Sequence, residues 1–311
     1  MSGMPIALTG TQYEIAAGDY TAVVTELGAN LRELRHRGEP LLTSYDADTL
    51  PPAAAGELLA PWPNRIDGGH YVFDGRDFQL DLSEPARSNA IHGLTRWANW
   101  VQAGSDVDRV QLELVLHGRP GYPFCLLLEA EYRLDAETGL HVQVTAKNEG
   151  STRAPFGTGS HPYLTVGTAT VDECSLAVPA ARWLATDDRG IPAGPAEDVE
   201  GTEYDFRTAR PVGDAQLDNA FTGLLRDPDG MARVKLTGPD RGACLWADES
   251  YRWLQVFTGD ALGEDQRRRA LAVEPMTCPP NAFVTGTDLI ILEAEANFRA
   301  AWGIHALPAA S

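Results

Sequence analysis

The sequence predicts an all-β protein, a large antiparallel β-sandwich, on three observations. Short runs of alternating apolar and polar residues recur along the chain, each broken by Gly, Asp, Asn or Pro. Amphipathic stretches of helical length are missing. The 311 residues, 43% of them hydrophobic, suffice to bury a large core without disulfide or metal staples.

Taken in order, Tyr71-Val72-Phe73 and Phe78-Gln79-Leu80 flank Asp74-Gly75, a dipeptide that tolerates the positive φ angles of a tight hairpin. Val110 to Leu116 alternates in the manner of a half-buried strand. So does Leu140 to Ala146, after a turn over Asp135 to Gly139. Val234-Lys235-Leu236, Leu254 to Phe257 and Leu271 to Val273 read as further strands, with the last ending at Glu274-Pro275. Leu289 to Leu292 is short and β-branched, hence a strand. Pro51 to Leu59 is expected to form a short helix, and Glu264 to Ala270 a polar loop. No repeat of solenoid length and no low-complexity linker divides the chain, so residues 1–311 read as one domain.

The formal charge of −19, from 44 acidic and 25 basic side chains, repels phosphate backbones and anionic headgroups. Nucleic acid and membrane surfaces are therefore not expected partners. Met1 to Tyr13 has neither the basic start nor the apolar run of a signal peptide. Cys125, Cys174, Cys244 and Cys278 stand too far apart for a zinc pattern and suit free thiols in a cytoplasmic setting. No oligomerisation motif is present, which leaves monomer or homodimer.

Polar reactive groups concentrate in five clusters: Pro61-Trp62-Pro63-Asn64-Arg65-Ile66, Asn89-Ala90-Ile91-His92-Gly93, Gly159-Ser160-His161-Pro162-Tyr163, a weaker Leu217-Asp218-Asn219-Ala220-Phe221, and Val273-Glu274-Pro275 with Pro280-Asn281-Ala282 behind it. Singly, each has an ordinary structural reading. His161 and His92 are the kind of loop histidines that satisfy backbone groups, Asp218 suits a turn, and Arg65 suits a surface ion pair. Glu274 differs, because a carboxylate following three apolar residues is costly unless paired or used. Ser160 lacks the G-x-S-x-G frame of a hydrolase elbow. No H-E-x-x-H or G-x-G-x-x-G motif calls for a metal or a dinucleotide, so no cofactor is expected.

Together and in this order, the clusters resemble the aldose 1-epimerase (galactose mutarotase) family over most of the chain. The resemblance implies the family's β-supersandwich and an isomerase that interconverts the α and β anomers of a small-molecule aldose sugar. It implies His161 as general acid and Glu274 as general base, with Asn64, Arg65, His92 and Asp218 holding sugar hydroxyls. The segment Leu254 to Gly259 extends the resemblance and adds Gln255. Leu94, Pro162 and Leu164 depart from the common pattern at positions expected to form pocket walls.

Opening a hemiacetal needs a base at the anomeric hydroxyl and an acid at the ring oxygen, which a carboxylate and an imidazolium supply. Glu274 is accordingly expected ionised and His161 protonated, with Trp62 or Trp97 as an aromatic platform. Loops Ser44 to Gly56 and Asp187 to Gly194 are expected to set the sugar preference. Alternatives on the same scaffold are a hexose-6-phosphate 1-epimerase using Arg96 and Arg182, and a non-catalytic carbohydrate-binding module. A glycoside hydrolase using Asp218 and Glu274 is a third.

Overall fold

In the computed structural model, which describes residues 6–308, strands pair antiparallel throughout and form two large sheets. The reading of Met1 to Tyr13 thus falls in part outside the described residues. The nine-stranded sheet is centred on Leu126–Asp135, Gly139–Asn148 and Asn297–Leu307. Its alternation is plain in Leu126–Asp135. Leu126, Leu128, Ala130, Tyr132 and Leu134 point inward and are at most 1% exposed, while Glu129, Glu131 and Arg133 face outward. Each such buried leucine contributes roughly 1.5–3 kcal/mol over its exposed state.

The eight-stranded sheet runs Glu197–Asp198, Ala180–Leu184, Asp218–Leu224, Trp253–Phe257, Leu271–Met276, Gly159–Ser160 and Leu58–Leu59, with Tyr163–Leu164 also pairing to Leu271–Met276. One hydrophobic cluster holds Val142 and Val144 of the first sheet together with Leu254, Val256 and Val273 of the second, so the core lies between them. It also takes in Ile15 and Val24 of a four-stranded sheet spanning Gln12–Ala17 to Glu39–Pro40. This is the antiparallel β-sandwich expected, and the α-helix Ala282–Thr285 is the only one among the described residues. No helix is long and apolar enough to cross a membrane. All four cysteines are free, and three are buried.

The hairpin at Asp74-Gly75 forms with φ of 51° and 71° at its two central residues. Two expectations are corrected. Pro51 to Leu59 is not a helix. A single turn at Pro52–Ala54 gives way to left-handed Ala53 and Ala54, and Leu58–Leu59 then joins the sheet. The left-handed Gly56 fits there because a Cβ would strike the carbonyl of Leu31. The strand beginning at Leu271 does not stop at Glu274 but continues to Met276. The N–H groups of Val273 and Thr277 bond Pro162 O at 3.1 Å and Thr158 O at 2.9 Å. The N–H that Pro275 lacks therefore falls where the partner strand is interrupted, and little pairing is lost.

Candidate active site

The interruption builds the centre of the site. Gly159 is the partner of Met276, and Tyr163 is the partner of Ala272. The intervening register sets His161 opposite Glu274. On the other edge of the same strand Glu274 is the partner of Gln255. An imidazole, a carboxylate and an amide are thus aligned across three neighbouring segments. His161 Nε2 and Glu274 Oε1 lie 3.3 Å apart, and both residues are 5% exposed or less. Tyr163 stacks on His161 at 5.0 Å between ring centroids and donates its hydroxyl hydrogen bond to Ala53 O at 3.1 Å, which holds the imidazole plane.

His92 approaches from a separate loop, its ring 5.3 Å from that of His161 and nearly perpendicular. His92 N–H donates to Asn64 O at 2.9 Å, and the Asn64 N–H donates back to His92 Nδ1 at 3.2 Å. Both residues are left-handed, with φ of 54° and 62°, and Asn64 supports its own turn by accepting the Arg65 N–H at 2.9 Å. Gly93 follows, also left-handed, where any Cβ would run into the Ala60 backbone.

His92, His161 and Glu274 bring one ligand-type atom each within 4.8 Å of one another, a composition that suits a metal. His92 does not fit that role, however. With Nδ1 accepting from Asn64, its neutral ring carries the proton on Nε2, so it presents a hydrogen-bond donor rather than a lone pair.

A cleft of about 360 Å³ contains all seven residues expected from the sequence: Asn64, Arg65, His92, His161, Asp218, Gln255 and Glu274. Gln255 Nε2 donates to Asp218 Oδ1 at 2.8 Å. Arg65 meets Glu84 through a two-pronged contact, Nε at 2.8 Å and Nη2 at 3.0 Å. A second cavity of about 430 Å³ adjoins, sharing Arg65, Asp218 and Gln255 and reaching Asp187 and Asp188.

Electrostatics oppose the charge-separated state expected for the pair. Burial, then the Asp218 charge, raises Glu274 well above the usual carboxylate range, with Arg65 acting the other way. Burial lowers His161 to about 3, helped by Arg96 and Arg65. Both shifts run toward the uncharged forms, a neutral imidazole beside a protonated carboxyl.

Other expectations are redrawn. Trp62 is a core residue, 2% exposed and edge-on to Phe283, while Trp97 is half exposed and outside the cleft lining. The cleft aromatics are Phe257 and Tyr163. Leu164 is fully buried and Leu94 packs on the core, so neither forms a pocket wall. Arg96 lines the cleft, whereas Arg182 lies outside it beside Asp198. Of the two loops expected at the rim, 44–56 contributes Ala53 and Ala54, and 187–194 reaches the adjoining cavity. Glu84, Ala261 and Leu262 were not foreseen, and Arg96 was expected there only for a sugar phosphate. Only Arg96, four residues after His92, stands near a recognised motif.

The sheets thus bring a buried imidazole and a buried carboxylate together in one polar cleft. The chain belongs to the aldose 1-epimerase family, whose profile matches residues 11–304. It is 35% identical over 297 residues to YihR, an uncharacterized protein of Escherichia coli K12, covering 96% of this chain and 94% of that protein. It is 25% identical over 218 residues to the aldose 1-epimerase of the same organism, covering 66% and 61% of the two chains. Among solved structures, the GalM/aldose epimerase homologue of Caenorhabditis elegans superposes with a TM-score of 0.87 at 18% identity, covering 96% of this chain and 99% of that one. The galactose 1-epimerase of Lactobacillus acidophilus gives 0.80 at 21% identity, covering 96% and 95%.

Proposed function

We propose that this protein is an aldose 1-epimerase that interconverts the anomers of a free aldohexose such as glucose or galactose. The observation that carries the reading is the opposed, buried His161–Glu274 pair in the polar cleft.

The pair holds one proton. Sugar hydroxyls entering the cleft hydrogen-bond the carboxylate and favour the ionic arrangement, Glu274 charged and His161 protonated. Glu274 then takes the proton of the anomeric hydroxyl, and the freed electron pair forms the C1 carbonyl as the C1–O5 bond breaks. His161 delivers its proton to O5. After rotation about C1–C2, O5 attacks the other face of C1, its proton returns to His161, and Glu274 reprotonates O1. Nothing is oxidised, and no proton is lost. Asn64, Arg65, His92, Asp218 and Gln255 are assigned to holding the ring, Asp218 as a charged acceptor and His92 as a donor.

The test is optical rotation of freshly dissolved α-glucose and α-galactose. Acceleration by the wild type that disappears in Glu274→Gln supports the reading. Relaxation at the buffer rate with both sugars, despite measurable sugar binding, favours a non-catalytic carbohydrate-binding protein. A hexose 6-phosphate is the second reading, favoured by Arg65, Arg87 and Arg96 on the cleft walls. Faster turnover of glucose 6-phosphate than of glucose selects it.

A further inference from the structure

Three arginines with acidic partners line the cleft, Arg65, Arg87 and Arg96, and their partners engage them differently. Arg65 has its Nε and Nη2 both engaged by Glu84, so the edge best shaped for paired oxygens is already occupied. Arg96 has one contact, Nη1 to Glu57 Oε2 at 3.1 Å. Its Nε and Nη2 make no hydrogen bond among the described residues and are not enclosed. The planar edge of Arg96 is therefore open where that of Arg65 is filled, and Arg96, unlike Arg87 at 4.0 Å from Glu84, is fixed by a hydrogen bond to its carboxylate partner.

The placement of Arg96 is built. Its partner Glu57 has a side chain only 1% exposed, and Glu57 is tied to the catalytic segment by the main chain. His161 N donates to Glu57 O at 3.0 Å, and Gly56 N donates to His161 O at 2.9 Å. The loop that carries Arg96 is fastened on its other side. Leu94 N donates to Ala60 O at 2.7 Å, and the Thr95 hydroxyl donates to Leu58 O at 2.7 Å. The exposed Trp97 ring has its centroid 5.4 Å from the Arg96 guanidinium carbon. A guanidinium held at this depth, 14% exposed and lining the cleft with His92 and His161, is held for something that enters.

We propose that Arg96, held by Glu57, is a further substrate-binding residue whose open edge donates to a pair of oxygen acceptors on the sugar. The acceptors are either two neighbouring hydroxyls of a neutral aldose or the two oxygens of an anionic ring substituent. The assignment rests on the epimerase reading for its substrate class but not for its binding chemistry, since a bound sugar meets the same edge whether or not it is turned over. Glu57 is a positioning residue and Arg96 a contacting one.

Binding is measured with 1,5-anhydroglucitol, which has no anomeric hydroxyl and is not turned over, and KM and kcat with glucose and glucuronate. Arg96→Leu is expected to weaken anhydroglucitol binding and raise KM about ten- to hundredfold, the range for a charge-assisted hydrogen-bonded pair. Arg96→Lys keeps the charge without the planar edge and is expected to recover only part of the loss. Glu57→Gln is expected to move KM in the same direction. An equal loss for glucose and glucuronate assigns the hydroxyl pair, and a far larger loss for glucuronate assigns the anionic group. Unchanged binding and unchanged KM for both sugars in folded Arg96→Lys and Arg96→Leu overturn the proposal. A wild type that binds sugar through Arg96 without accelerating mutarotation overturns the epimerase reading alone.

Discussion

Glu274 and His161 occupy opposed positions on neighbouring antiparallel segments, with Oε1 and Nε2 3.3 Å apart and both side chains buried. The two residues proposed to carry protons are thus set by strand register. Each is also pushed by burial toward its uncharged form.

Replacing either group while keeping its shape, Glu274→Gln or His161→Gln, is expected to slow anomer exchange about 10²- to 10⁴-fold with the fold intact. Polarimetry alongside circular dichroism checks this. Folded variants with near wild-type rates would remove both residues from the chemistry.

The Asp218 charge adds to the proton affinity of Glu274. In Asp218→Asn that contribution vanishes, so Glu274 ionises at lower pH and the acid limb of the rate profile moves downward. KM rises about tenfold from the lost charged acceptor. A limb that stays in place contradicts the coupling.

Stability carries its own pH signature. His161 takes up a proton near 6.5 when unfolded, but only at about 3 when folded. The unfolded chain therefore binds the extra proton over that interval. This residue's share of stability is complete above 6.5 and declines as pH falls toward 3, by at most about 1.4 kcal/mol per pH unit. Denaturation midpoints of His161→Gln should fall less steeply over the same interval. Parallel curves for variant and wild type would refute this.

Gly93 closes against the Ala60 backbone in a left-handed conformation beside His92. Gly93→Ala is expected to cost roughly 2–4 kcal/mol from strain and displacement. Thermal melting measures it, and a melting temperature within error of wild type would show that the loop relaxes freely.

Arg65 depends on Glu84 for its orientation. Glu84→Gln keeps the volume but weakens the double contact, and KM for the sugar is expected to rise about tenfold with kcat little changed. An unaltered KM would mean that Arg65 needs no such support.

What the sequence disclosed follows from the range of the interactions involved. Asp74-Gly75 announced its hairpin because the turn is made by its own two residues. Glu274 stood out because an apolar run delivers it inward. The strand's continuation through Pro275 was hidden, since it depends on the gap in a partner segment far away in the chain. Glu84 and Glu57 were invisible for the same reason: their meaning comes from Arg65 and Arg96, which only folding brings to them. The helix expected over Pro51 to Leu59 failed at Ala53 and Ala54, whose left-handed backbone no local preference foretells.

Ala53, Ala54, Ala261 and Leu262 line the cleft from segments outside the sheet that carries Glu274. Under the proposed epimerase reading, reaction and sugar preference are thereby carried by separate segments. Grafted or randomised rim segments become a way to retune which sugar is accepted while the reacting pair keeps its spacing, which makes the scaffold a natural starting point for building anomerases to order.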